Sequence, residues 1–391
     1  MIQYTKRTGW TREPTRLSRL QEQCIRDGLD LLDLICSNPT RQGFCYDPCV
    51  LAEIYANAAT YEPSALGMPV ARDAVAAYYK GHGSAILPSQ VWLGAGTSEL
   101  YGHAMSILCD PGDIWMVSQP GYPLFSYLSD LQGVRMVPYA LSWDGSWHIR
   151  EADFVRALSQ AGVKAVAVVT PHNPTGHVWS QRERDMVVRC CAERDVALVV
   201  DEVFLDYPLT AGAELASMAG EPRCLTICLS GLSKVAAFPQ GKLAWAVVSG
   251  PGSEEFLGRA ELVADTYLNT STVIQQGVDA LLAAAPALRE QIRSRCRRNL
   301  ARAGRMVAGS AMTVCDVEAG WTLLLRLPGI CEDQVWAERA LVEHRVLVQP
   351  GYLFEMEHAH AAPFLAVSLL VDPAVFDEGL LRLVRLVEEA G

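Results

Sequence analysis

The sequence predicts an α/β protein: a large lobe with a mostly parallel sheet between layers of helices, three layers in all, and a smaller α+β lobe. Three observations carry this expectation. Short runs rich in Val, Ala, Leu and Ile recur at 114–117, 165–170, 197–203, 225–229 and 243–248, bounded by turn or charged residues. Near-continuous apolar runs of that length fit strands covered on both faces. Helical patterns alternate with them, at 69–79 and at 98–108, the second ended by Asp110-Pro111-Gly112, and such alternation implies parallel strands. After about residue 285 the texture changes to an amphipathic basic helix over 289–307, strand-like runs at 321–327, 346–348 and 364–370, and a closing helix over 374–386. We place the large domain at 50–283 and build the small one from 1–49 plus 284–391.

The chain has 391 residues, half of them apolar and about a fifth charged, as expected of a globular enzyme of two or three compact lobes. A formal net charge of −11 disfavours nucleic acid as the main partner, while a small anion needs only a few local donors. No apolar run reaches the length that spans a bilayer, and the polar start Met1-Ile2-Gln3-Tyr4-Thr5-Lys6 lacks a secretory segment. A cytoplasmic location follows as the expectation. Twelve cysteines, mostly in apolar segments such as Cys109, Cys190-Cys191 and Cys228, read as free thiols. Cys45-x3-Cys49 and Cys224-x3-Cys228 have no matching second pair. His358-Ala359-His360 beside Glu357 reads as a solvated loop, so no metal is expected.

Chemistry concentrates where the strands end, the place at which open α/β sheets bind ligands. The 165–170 run leads into Pro171-His172-Asn173-Pro174-Thr175-Gly176, a rigid turn presenting an amide. Asp201 ends the next run, in Val200-Asp201-Glu202-Val203-Phe204. The 225–229 run leads into Ser230-Gly231-Leu232-Ser233-Lys234, with Lys242 eight residues on. Gly94-Ala95-Gly96-Thr97-Ser98 opens a helix, and free N–H groups at a helix start form a seat for phosphate. Taken singly, each piece has a plain structural explanation. A strand-end Asp caps helices, a lysine snorkels, Ser230 and Ser233 fit local turn caps, and Tyr122 in Pro120-Gly121-Tyr122-Pro123 fits a core position. Lys234 and Asp201 resist that explanation, since both charges would otherwise be buried at strand ends without ligands.

In this order and spacing the segments resemble the fold-type I pyridoxal-phosphate enzymes of the class I/II aminotransferase (aspartate-aminotransferase-like) family, over roughly residues 35 to 370. The resemblance implies a pyridoxal 5'-phosphate cofactor joined to Lys234 as an internal aldimine. It implies that Lys234 is also the base for the Cα proton and that Asp201 pairs with the pyridine nitrogen. Asn173 is implied to bond the ring hydroxyl oxygen and Tyr122 to stack on the ring. Ala95, Gly96, Thr97, Ser230, Ser233 and Lys242 are implied to hold the phosphate. Tyr61, ahead of Gly67-Met68-Pro69, matches a tyrosine that reaches the neighbouring subunit's phosphate, which implies a homodimer with shared sites.

Three departures qualify the resemblance. Phe204 stands where the family usually has tyrosine, and Lys242 stands for arginine, giving charge without a planar fork. In Pro363-Phe364-Leu365-Ala366-Val367-Ser368, Ala366 occupies the place of the arginine that clamps the substrate α-carboxylate. Asn38 and Arg41, in Ser37-Asn38-Pro39-Thr40-Arg41, and Tyr352, in Gln349-Pro350-Gly351-Tyr352, are the substrate-side candidates, with Trp321 beside them. Arg41 reads equally as an exposed loop arginine. The expected activity is transfer of the amino group of an α-amino acid to a 2-oxo acid. The alternative is elimination, replacement or cyclisation on the same scaffold, with a guanidino amino acid or S-adenosylmethionine as substrate. A third reading, a non-catalytic binding protein, gives the intact Lys234 and Asp201 nothing to do.

Overall fold

A computed structural model describes residues 2–56, 59–121, 123–210, 212, 215–268, 270–356 and 362–390. In chain order the strands are β1 (Leu32–Asp33), β2 (Val91–Gly94), β3 (Ile114–Gln119), β4 (Arg135–Trp143), β5 (Trp147–Ile149), β6 (Val163–Val169), β7 (Ala197–Asp201), β8 (Thr226–Gly231) and β9 (Ala244–Ser249). They continue with β10 (Thr313–Val314), β11 (Thr322–Arg326), β12 (Val346–Leu347), β13 (Gln349–Pro350) and β14 (Phe364–Ser368). Eight of them form one sheet in the order β2-β9-β8-β7-β6-β3-β4-β5. It is parallel from β8 through β4 and antiparallel where β9 meets β2 and β8 and where β4 meets β5.

The continuous apolar runs have their physical reason in this sheet. Met116, Val166, Val168, Leu198, Val200 and Cys228 belong to the core on one face. The residues between them, Trp115, Val117, Ala165, Ala167, Val199 and Ile227, belong to the core on the other. With helices on both faces, neither side of a strand is left polar. The chain is α/β in three layers, as its sequence predicts.

Three strands of this sheet have no counterpart in the sequence reading: β2, β4 and β5. β4 lies one strand in from the edge and mixes exposed Arg135 and Pro138 with buried Tyr139 and Leu141, so it lacks the unbroken apolar run of its neighbours. The basic helix also begins earlier than expected, running from Val278 to Val307 through Pro286. Pro286 is exposed, and on a solvent-facing side water satisfies the carbonyl left without its N–H partner.

A second, antiparallel sheet has the order β10-β11-β14-β13, and β1 pairs with β12 in parallel. Leu323, Leu325, Leu365 and Val367 on one face share a core with Leu17, Leu34 and Phe44 from the N-terminal segment and with Phe376 and Leu380 of the helix Pro373–Glu388. Leu324, Phe364 and Ala366, on the other face, join the core of the large sheet. Gly176 marks one contact between the two regions. Its φ is +71°, a Cβ there would lie 2.4 Å from Val317 Cγ1, and its carbonyl accepts the N–H groups of both Glu318 and Ala319.

Candidate active site

The strand directions bring Gly94, Asp201, Gly231 and the start of β9 to one edge of the large sheet. A cavity of about 440 Å³ opens there, between that edge and the second sheet. Gly96, Thr97, Asn173, Asp201, Ser233, Lys234 and Lys242 line it, so seven residues singled out in the sequence, from four separate segments, share one space.

Lys234 sits in the four-residue helix Leu232–Val235 directly after β8. Tyr207 donates from its hydroxyl to the Lys234 carbonyl at 2.5 Å, and Tyr46 does the same to the Ala236 carbonyl at 2.5 Å. The lysine backbone is thus pinned from two sides. Its Nζ lies 4.9 Å from the Trp321 ring centre and 5.7 Å from that of Phe204. Burial lowers the Lys234 pKa, and the Asp201 carboxylate works against that shift. An amine in this position is biased toward its neutral, nucleophilic form.

Asp201 ends β7 and is buried. It accepts the Val203 N–H at 3.1 Å and the Tyr101 hydroxyl at 3.4 Å. Burial raises its pKa to about 6, partly offset by those hydrogen bonds and by Lys234. Asn173 is held by the Thr322 hydroxyl, which donates to its Oδ1 at 3.0 Å. Beneath it, His172 bridges Ser118 at 3.0 Å and Thr175 at 2.9 Å, and burial holds this imidazole neutral with its pKa down to about 3.

Other expected residues stand apart from the lining. Ala95 is adjacent, but its N–H already donates to the Glu99 carboxylate. Ser230 lies one residue before the lining Gly231, with its hydroxyl fully buried and without a hydrogen-bond partner among the described residues. Asn38 and Arg41 are exposed, and Asn38 spends its carbonyl oxygen on the N–H and hydroxyl of Thr40. Tyr352 is also outside the lining, its N–H donating to Asp333 at 2.7 Å. Tyr61 is 67% exposed. Tyr122, like Glu357, His358 and His360, lies outside the described residues. Trp321 does line the cavity, together with Ile35, Ser37, Thr322, Gln349 and Phe354, which the sequence reading did not select.

The model of the family described as aminotransferase class I and II matches residues 56–382. This chain belongs to that family. The aminotransferase is 30% identical over 285 residues to the glutamate-pyruvate aminotransferase AlaA of Haemophilus influenzae, covering 70% of this chain and 68% of that one. It is 26% identical over 244 residues to an alanine aminotransferase of Mycobacterium tuberculosis, covering 61% and 53%. Among solved structures, an Escherichia coli aminotransferase superposes with a TM-score of 0.88 at 22% identity, over 99% of this chain and 98% of the other. The fold is therefore the fold-type I aminotransferase fold, and the enzyme is a pyridoxal-phosphate-dependent transferase.

The residues present fit that cofactor. The helix Thr97–Leu108 starts at Gly96 with no side-chain cap, leaving its first N–H groups for an anion. A Cβ on Gly96 would stand 3.5 Å from Lys242 Nζ, so the uncapped turn and a cation share one corner.

Proposed function

We propose that this aminotransferase moves the amino group of an amino acid to a 2-oxo acid, with Lys234 as its catalytic amine and Asp201 as the carboxylate facing it. One observation carries the reading: a buried lysine with a lowered pKa and a buried aspartate line the same cavity, away from bulk water. When bound, pyridoxal phosphate supplies an aldehyde that exchanges amines and a ring that accepts electrons. Lys234 is the amine that would hold the aldehyde carbon, and it would take and return the proton at the substrate's amine-bearing carbon. Asp201 would hold a proton on the ring nitrogen, and Asn173, fixed by Thr322, would donate to the ring oxygen. Gly96, Thr97, Ser233 and Lys242, which line the cavity, would receive the phosphate. Trp321 and Phe204 exclude water around the Lys234 amine.

The reading is tested on Lys234→Ala. The wild-type protein reconstituted with pyridoxal phosphate should absorb near 400 nm, roughly the visible edge, and borohydride should fix the cofactor to residue 234. A donor amino acid alone should change that spectrum and a 2-oxo acid should restore it. The variant should lose the covalent link and about 10⁴-fold or more of the turnover. A wild-type protein that stays colourless with excess cofactor defeats the proposal.

The same reading extends to organisation. The aminotransferase is a homodimer in which Tyr61 crosses to the neighbouring phosphate, supported by the exposure of Tyr61 together with Tyr55, Leu262 and Tyr267. The two domains are 50–283 and 1–49 with 284–391. The location is cytoplasmic, in keeping with twelve cysteines that are all free. No described helix is long and apolar enough to cross a membrane.

A further inference from the structure

The charges around the cavity are unevenly placed. Among the described lining residues the cations are Lys234 and Lys242, and Asp201 is the acid. Among the described residues the wall facing them is neutral. Its polar members are Ser37, Asn173, Thr322, Gln349 and Ser368, and three of these are already engaged with protein. Thr322 donates to Asn173, and the Ser368 hydroxyl accepts the Leu370 N–H at 3.3 Å. Ala366 sits in the middle of the second sheet, fully buried and paired with Leu324 and Gln349 in register, so its methyl group stands beside Gln349 on the same face. Arg41 stays outside, in solvent.

On the reading proposed above, Lys234 is occupied by the chemistry and Lys242 by a phosphate that itself carries a charge of about −1.5 to −2. Asp201 would be paired with the protonated ring nitrogen, and that pair leaves no free positive charge. A carboxylate on the reacting carbon would then enter a site whose positive charge is already spent, against a wall offering only neutral groups. A hydroxymethyl or alkyl group at that position meets no such penalty. The ring faces of Trp321 and Phe204 favour an apolar body beside it.

We infer that the donor for which this pocket is shaped is a primary amine or amino alcohol with an apolar body, lacking an ionised carboxylate on the amine-bearing carbon. The amino acid and its 2-oxo acid are the loosely held pair, driven by their concentration. The exchange balances as R–CH(NH2)–CH2OH + R'–CO–COO⁻ giving R–CO–CH2OH + R'–CH(NH2)–COO⁻. At the first carbon a C–N and a C–H bond break, a C=O bond forms and two electrons are lost. At the second carbon the reverse occurs, and no outside oxidant is needed.

The holoenzyme decides this in a single half-reaction without acceptor. The conversion of the bound cofactor is followed spectroscopically with leucinol against leucine and with phenylalaninol against phenylalanine. The amino alcohols should react with a rate constant over apparent dissociation constant larger by roughly tenfold or more. Gln349→Arg, which places a cation on the neutral wall, should shift the ratio toward the acids by about tenfold; if that variant does not fold, the wild-type ratio alone decides. Acids equal to or better than the alcohols in the wild type would overturn the inference, including the case of a cation supplied by a neighbouring subunit, and would leave the aminotransferase reading standing. Conversion by neither class would bring down both.

Discussion

His172 and His177 lie five residues apart on one turn, and their surroundings drive them to opposite charge states. His172 is packed between two hydroxyls, Ser118 and Thr175, with no carboxylate partner among the described residues, and burial holds its pKa down to about 3. His177 is buried as deeply, but Glu183 lies 3.1 Å from one ring nitrogen and Glu318 3.3 Å from the other. Burial opposes its protonation, yet the two carboxylates outweigh burial and raise its pKa to about 9. The same residue type is neutral next to Asn173 and cationic five residues on, between Glu183 and Glu318. The number of anionic partners decides which, more than depth of burial does.

The largest effect should come from removing the partner that is itself buried. Glu183 caps the helix Gln181–Ala192 through Ser180, accepts the Ile149 N–H at 2.8 Å and pairs with His177. Glu183→Ala should cost about 3 kcal/mol in a denaturant titration; a loss under about 1 kcal/mol would mean that His177 is not charged there. Next is His177→Gln, at about 1–2 kcal/mol near pH 6. The sign follows from linkage. A histidine raised from the usual 6.5 to about 9 gives its full stabilisation below 6.5 and loses it as pH climbs through about 9. The stability gap between wild type and His177→Gln should therefore shrink across that window.

His172→Asn should show the opposite trend at a similar or smaller cost of about 1 kcal/mol. With its folded pKa near 3, His172 stays neutral while the unfolded chain takes up a proton below about 6.5. The advantage of wild type over His172→Asn is thus present above pH 6.5 and lost as pH falls toward 3. The smallest effect belongs to Glu318→Gln, because half of that side chain is exposed. Under about 1 kcal/mol is expected, with the alkaline limb moved to lower pH. Parallel pH profiles for the two histidine variants would dissolve the contrast.

These pairs also show what was legible in the sequence. Asn173, Asp201 and Lys234 could be read because each follows its own strand, and a strand end in a parallel sheet fixes direction locally. The partners that tune the site lie far away in sequence. Thr322 reaches Asn173 from 149 residues downstream, and Glu318 reaches His177 from 141. Gln349 and Ser368 line the cavity because β13 and β14 pair in one register, and a slip of one residue would turn the opposite face inward. Gln349 and Phe354 line the space and Tyr352 does not, because the chain leaves β13 in a 3-10 helix over Gly351–Phe354. Tyr46 and Tyr207, which pin the Lys234 segment, gave no local signal at all.

Gly176 gives that long-range dependence a practical form. Its backbone lies flat against Val317 and Ala319 with no room for a methyl group between them. The turn that presents Asn173 and the stretch leading into Trp321 therefore behave as a lock and its matching key cut from one chain. A recombination library that exchanges segments with a distant relative should yield folded clones when 170–178 and 315–322 travel together, and few when either is inherited alone.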